Sequence, residues 1–268
     1  MVESAAPKVI GIDLGGTKLL AGAIDEGLEV YARVDRIVHG LNERDILRER
    51  LGLPVFVDND ANVTTLAEQR AGAARGALDV VGLTVGTGIG GGIVIDGHIY
   101  RGYVGAGAEL GHMVIDEDGP PCQGQCPNRG CLEAVASGAA IGREGSLAAE
   151  QEPDSALGAA IADGLEITGE VVTDLALEGD EVARMVLGQI GRKLGVGLAN
   201  IVNIFNPEVI VVGGGAMAAG DLLLDPAREE LRLRALPPGR ELVRVVPAQF
   251  GAEAGMLGAG LLAFDELG

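Results

Sequence analysis

The chain repeats itself. Laid over itself at an offset of 71, residues 9–25 (VIGIDLGGTKLLAGAID) align with residues 80–96 (VVGLTVGTGIGGGIVID), placing Gly11 on Gly82, Gly15 on Gly86, Ile24 on Ile95 and Asp25 on Asp96. In each copy an apolar run stops at a Gly/Thr-rich turn and resumes without helical spacing. A second turn, at 25–27 or 96–97, then leads into a third strand, LEVYARV or HIYRG. Short apolar runs broken by such turns predict hairpins. Two hairpin-led halves predict two similar lobes, and 268 residues suffice for two small ones.

The remaining segments fill in an α/β pattern. Residues 42–51 read as a short polar helix, 55–57 (VFV) as a short strand and 61–71 as a helix. A loop rich in Gly, Pro and Cys (116–130) precedes a helix from Leu132, and 145–180 reads as helices with loops. Val182, Val186, Ile190, Leu194 and Leu198 recur every four residues, the stripe of a long buried helix over 180–203. Gly188, Gly191, Gly195 and Gly197 would weaken that helix, so they are expected to mark close packing. A strand at 209–212, a turn at 213–215, a strand at 242–246 and a closing helix at 252–264 complete the chain. The predicted class is α/β in two lobes, 1–77 with 253–268 and 78–252, the larger carrying the cysteine loop.

Charge narrows the partners. The net of −19 repels phosphate backbones and acidic membranes, so neither nucleic acid nor a membrane is an expected partner. A bound polyanion needs a local cradle or a metal. Aromatics are 3% of the chain and Trp is absent, so a small ligand must be held by hydrogen bonds more than by stacking. With no signal-like start and no long apolar run, the expected location is the cytoplasm.

Three glycine turns close apolar strands: Asp13-Leu14-Gly15-Gly16-Thr17-Lys18, the run from Gly86 to Gly92, and Gly213-Gly214-Gly215-Ala216-Met217. Backbone N–H groups in such turns wrap phosphate oxygens. One such turn alone reads as a tight hairpin; three at strand ends point to a phosphate cradle. Gly86, Gly88 and Gly91 spell G-x-G-x-x-G, but a strand follows where a dinucleotide fold needs a helix. Gly213, Gly215 and Ala218 do lie between strand and helix, which leaves a dinucleotide turn or an adenosine turn open.

His112, Cys122, Cys126 and Cys131 follow one another at gaps of ten, four and five, and the chain has no other Cys. Three thiolates and an imidazole are a closed, structural zinc set. Asp60 follows the VFV run and opens a helix, so it is an N-cap or, at the carboxyl end of a strand, a general base. Glu109 and Glu133 flank the cysteine loop as solvated carboxylates or as acceptors for neutral hydroxyls.

Taken together, DLGGTK, VDNDAN, LTVGTGIGGG, the Glu-x-Gly-His unit at 109–112, the Cys loop ending GCLE, and NPEVIVVGGG resemble the repressor, open reading frame, kinase (ROK) sugar-kinase family, and within it the bacterial glucokinases. The resemblance implies the actin-like, ribonuclease-H-like duplicated fold with a cleft between lobes, and transfer of the γ-phosphoryl of ATP to the 6-hydroxyl of a hexose, glucose first. It implies that Asp60 is the catalytic base, that Asn59, Glu109, His112 and Glu133 bind the sugar, and that His112 also holds zinc with Cys122, Cys126 and Cys131. Gly15, Gly16, Thr17 and Lys18 of the first turn, and Gly86, Thr87 and Gly88 of the second, would serve the phosphates of ATP. Asp13 would act towards Mg2+, and Gly214 and Gly215 would lie by the adenosine. A homodimer is the family expectation.

Two features depart from the family pattern. Cys122 and Cys126 have three residues between them where the family has one. The first lobe also reads one helix-strand unit short near 35–45, which should either shift the VFV strand inwards or leave backbone unpaired. That gap sustains another reading, a catalytically impaired sugar-binding or assembly protein of the same fold; a kinase for another hexose such as N-acetylmannosamine or fructose stays open because epimer choice depends on side-chain placement within the cleft.

Overall fold

Each copy of the repeat seeds its own sheet. The computed structural model describes residues 8–14, 18–37 and 52–268. In chain order these form β1 (Lys8–Leu14), β2 (Lys18–Asp25), β3 (Val30–Ile37), α1 (Asp60–Arg70), β4 (Val80–Val85), β5 (Ile89–Ile95), β6 (His98–Ile99), α2 (Leu132–Ala136), α3 (Gly138–Gln151), α4 (Ala156–Ala162), α5 (Gly169–Glu178), α6 (Glu181–Phe205), β7 (Val209–Gly213), α7 (Asp221–Arg234), α8 (Gly239–Leu242), β8 (Arg244–Pro247) and α9 (Ala254–Leu267). The first sheet is the antiparallel meander β1-β2-β3. The second runs β6-β5-β4-β7-β8, with β4 antiparallel to β5 but parallel to β7, which is parallel to β8. β4 and β7 are apolar almost throughout and nearly all buried, as central parallel strands covered on both faces must be.

Glycine lets helices in between the sheets. A Cβ at Gly11 of β1 would run into the Met256 carbonyl of α9, and one at Gly258 of α9 into the Val63 carbonyl of α1. A Cβ at Gly82 or Gly92, on β4 and β5, would run into the Thr65 hydroxyl of α1. The layers are therefore first sheet, α9, α1 and second sheet, in contact at backbone distance. On its far side the second sheet meets the main core, built around α6. Within α6, Gly191 and Gly195 admit the Leu223 and Ala227 carbonyls of α7, and Gly197 admits Leu132. Gly188 meets only the end of Arg192, at 3.8 Å, so it is not the packing point expected.

Other expectations are corrected. Residues 55–57 form no strand and join no ladder, and Val57 is exposed. Among the described residues nothing pairs with the outer edge of β1, where Ile10 is 61% exposed. Three apolar residues without a ladder partner do not make a strand. The HIYRG strand shrinks to His98–Ile99 because Gly102 and Gly105 take the chain through positive φ into a loop. The helix from Leu132 breaks at Ser137, whose Oγ accepts the Ala140 N–H at 3.3 Å and starts α3. Residues 239–242 form a helical turn before β8. The helix expected at 42–51 and the gap near 35–45 lie largely outside the described residues.

Two of the connections between layers, the one after α1 and the one before α9, meet at Glu68. This α1 residue is wholly buried. Its Oε2 accepts the Ala73 N–H at 2.9 Å, and its Oε1 accepts the Gln249 and Phe250 N–H groups at 2.8 and 2.9 Å. No helix among the described residues is long and apolar enough to cross a membrane.

Candidate functional site

Asp60 is the first residue of α1, and it is exposed. The N-cap is Asn59, whose Oδ1 accepts the Ala61 and Asn62 N–H groups at 2.9 and 3.3 Å. Capping is thus done by its neighbour, while the Asp60 carboxylate lies in the first turn, where negative charge suits the positive end of the helix, and its Oδ1 accepts the Ala61 N–H at 2.8 Å. Ala61 lies against Gly90 at the start of β5, so the α1 N-terminus sits beside the second glycine turn.

That turn is shorter than its sequence suggests. Only Gly86, Thr87 and Gly88 form it, closed by the Gly86 N–H donating to Gly88 O at 2.9 Å. Gly90 to Gly92 belong to β5, where bare backbone admits α1 on one face and the Ala108 carbonyl on the other. The Gly138 N–H, first in α3, donates to Gly86 O at 2.7 Å. A cleft of about 930 Å³ opens here, lined by Gly86, Thr87, Gly138 and Gly215, with Arg143, Ser146, Thr168 and Asp174 behind them. The positive end of the 14-residue α3 helix adds to it a field that favours anions. Gly214 is held at φ 90° against the Val85 carbonyl, where any side chain would be both strained and blocked. Of the first turn, Gly15, Gly16 and Thr17 lie outside the described residues, as does the side chain of Lys18. Asp13 is described, with its carboxylate against Gly255 in the first turn of α9.

The cysteine loop gathers as expected. One ligand atom from each of His112, Cys122, Cys126 and Cys131 lies within 4.8 Å of the others. The Cys122 Sγ is 3.5 Å from His112 Nδ1, and the Cys126 and Cys131 sulfurs are 3.8 Å apart. With Zn–S bonds of about 2.3 Å, a tetrahedron has S–S edges of about 3.8 Å, so the donor set fits zinc. Burial pushes the Cys122 thiol up to about 12 and also raises Cys131, while the Asn128 backbone N–H lowers Cys126. A bound cation would favour the thiolate form of all three. Metal analysis of the folded protein is expected to give one zinc per chain, and Cys131→Ser to lose it.

The carboxylates beside this loop differ. Glu109 is 64% exposed, and its Oε2 is 3.9 Å from His112 Nε2, the ring nitrogen turned away from the sulfurs. Glu133 is already engaged: its Oε2 accepts the Ile89 N–H at 2.8 Å, and its Oε1 lies 3.8 Å from the Cys122 Sγ. Gln123 of the same loop donates to Thr87 O at 3.1 Å. The cysteine loop therefore props the glycine turn, a role for Gln123 that nothing in its sequence context marks. Sequence reading also passed over Gly138, whose part depends on a contact between distant segments.

A model of the ROK family matches residues 41–266. This chain belongs to the ROK family. It is 37% identical to a glucokinase of Thermotoga maritima, over 86% of this chain and 72% of that one. Identity to a glucokinase of Streptomyces coelicolor is 33%, over 95% of this chain and 96% of that one. That alignment runs for 311 positions, more than the 268 residues present. Among solved structures, a ROK family glucokinase from Streptomyces griseus in complex with glucose and AMPPNP superposes with a TM-score of 0.84 at 32% identity, covering 97% of this chain and 100% of that one. The two-lobed, actin-like α/β fold follows from that match.

In this ROK chain one strained residue adjoins the candidate sugar carboxylate. Ala108 has φ 65°, a left-handed conformation that costs a residue with a Cβ about 1–2 kcal/mol. Ala108→Gly is expected to stabilise the protein by about 1 kcal/mol, read as a rise of a few degrees in Tm.

Proposed function

We propose that this protein transfers the γ-phosphoryl group of ATP to the 6-hydroxyl of a hexose, with glucose as the first substrate to test. The observation that most supports this reading is the seating of α1 on β5, where Ala61, next to Asp60, lies against Gly90 just beyond the Gly86–Thr87–Gly88 turn. The identity to glucokinases supports it.

The residues divide the work as phosphoryl transfer requires, mostly by positioning and charge stabilisation. Asp60 accepts the proton of the 6-hydroxyl as that oxygen attacks the γ-phosphorus, and ADP leaves with the electron pair of the broken P–O bond. Asn59, Glu109 and His112 Nε2 hold the other sugar hydroxyls. Glu133 holds the turn through the Ile89 N–H and offers its remaining oxygen capacity to the sugar. The turn amides and the α3 N-terminus receive the phosphates, and Gly214 and Gly215 let the adenosine approach bare backbone. Asp13, half-buried at the end of β1, suits Mg2+, which takes one or two carboxylates alongside phosphate oxygens and water. When bound, Mg2+ would neutralise phosphate charge; zinc would fix the cysteine loop, and through Gln123 and Glu133 the turn.

A second reading has its own support. The alignment longer than the chain, and a β1 edge that pairs with nothing among the described residues, support a protein lacking a unit of its relatives that retains sugar binding without turnover. ADP release measured with glucose, mannose, fructose and N-acetylmannosamine separates the two. Turnover above an Asp60→Asn control supports the kinase; none with any sugar, alongside sugar binding by calorimetry, supports the second.

A further inference from the structure

We infer that Arg101 is a positioning residue that ties the loop carrying the candidate sugar groups to the loop carrying the candidate base, an inference that rests on the kinase reading above. Arg101 touches neither ligand in that reading. Its Nε donates to Asp58 Oδ2 at 2.7 Å. Asp58 is almost wholly buried, with 6% of its side chain exposed, and its other oxygen accepts the Asn59 N–H and the Asn62 Nδ2 group, both at 2.8 Å. One carboxylate thus fixes the backbone entering the cap and a side chain in the first turn of α1, on either side of Asp60. Arg101 supplies its cation from the segment after β6.

The main chain of Arg101 does a second job. Its carbonyl accepts the Gly107 N–H at 2.9 Å, closing the loop 101–107 at its base, while Tyr103 at the loop tip is fully exposed. The residues that emerge from this closed base are Ala108, Glu109 and the short helical turn Leu110–His112. The same residue therefore holds both sides of the sugar pocket, one by backbone and the other by side chain. Lys would not replace it, because the bond is made by Nε within a planar guanidinium and not by a terminal ammonium.

Positioning losses fall on the reacting centre, and a misplacement of about 1 Å costs about 100-fold. Arg101→Met is expected to lower kcat/KM for the hexose by about 10- to 100-fold, to leave KM for ATP within about twofold, and to speed amide hydrogen exchange at Asn59, Ala61 and Asn62 while α6 stays protected. Arg101→Lys should recover less than a third of the loss. Combining Arg101→Met with Asp58→Asn should cost no more than the worse single change, as for two ends of one bond. A hexose kcat/KM within twofold of wild type, or unchanged exchange at 59–62, would overturn the inference. So would equal loss towards hexose and ATP together with a lower Tm, which is what general destabilisation produces. Should the wild-type protein turn over no sugar, the kinase reading fails by itself, and the exchange pattern alone decides whether Arg101 fixes the loop.

Discussion

Asp60→Asn is expected to lower kcat for hexose phosphorylation by about 100- to 10,000-fold, the range in which general bases contribute. The substitution is close to isosteric, and Asn keeps an oxygen for the Ala61 N–H. Asn59 remains the cap, so α1 keeps its start and its seat on β5. Because the side chain is exposed, little burial is disturbed. Sugar affinity should therefore persist while turnover disappears, a split that distinguishes chemistry from folding. Circular dichroism and a thermal melt close to wild type are needed beside the kinetics. If Asp60→Asn retains more than a tenth of wild-type kcat, another group takes the proton and the assignment falls.

The same position shows how far sequence alone reaches. Asp60 reads equally as cap or base in the string VDNDAN, because both roles place a carboxylate before a helix. One residue of register separates them, and the structure puts Asn59, not Asp60, at the N-cap. The glycines are a similar case. The position of the glycine runs at strand ends suggests phosphate turns. In the structure Gly90 and Gly92 serve helix-to-sheet contact instead, as Gly82 does on β4, since the partner they accommodate, α1, is named by no local signal. The stripe of α6, the four metal-ligand residues and the central strands were legible because each is written in spacing or run length. Contacts between distant segments were not: Gln123 on Thr87, Arg101 on Asp58 and Gly138 on Gly86 pair residues whose local contexts predict nothing about each other. The VFV run shows the opposite limit. Its residues favour a strand, yet a strand exists only where a neighbour completes the ladder, and among the described residues none does.

Glu68→Ala is expected to destabilise the protein by about 3–5 kcal/mol, because it removes the acceptor of three backbone N–H groups at a buried position. A glutamate on a helix ordinarily points to water, and the sequence contains no hint that this one does not. In the structure its two oxygens are the acceptors for three backbone N–H groups from two separate crossings, Ala73 on one side and Gln249 and Phe250 on the other. Truncation leaves those three donors without their acceptor, each at a cost of about 1–3 kcal/mol where water does not reach it. It also removes volume against Gly72, which has no side chain to move into the space. Glu68→Gln separates charge from shape. A carboxamide has one oxygen, so it serves either Ala73 or the Gln249–Phe250 pair, and its NH2 then faces a donor on the other side. Its cost should lie between zero and that of Ala. Chemical denaturation gives the stability, and hydrogen exchange gives the location: amides at 72–74 and at 249–250 should lose protection together, because one side chain holds both crossings. Loss at only one crossing would show that the lobes are fastened elsewhere. A Glu68→Ala protein within about 1 kcal/mol of wild type would mean that water replaces the carboxylate at the crossing, and that this junction is wet and not sealed.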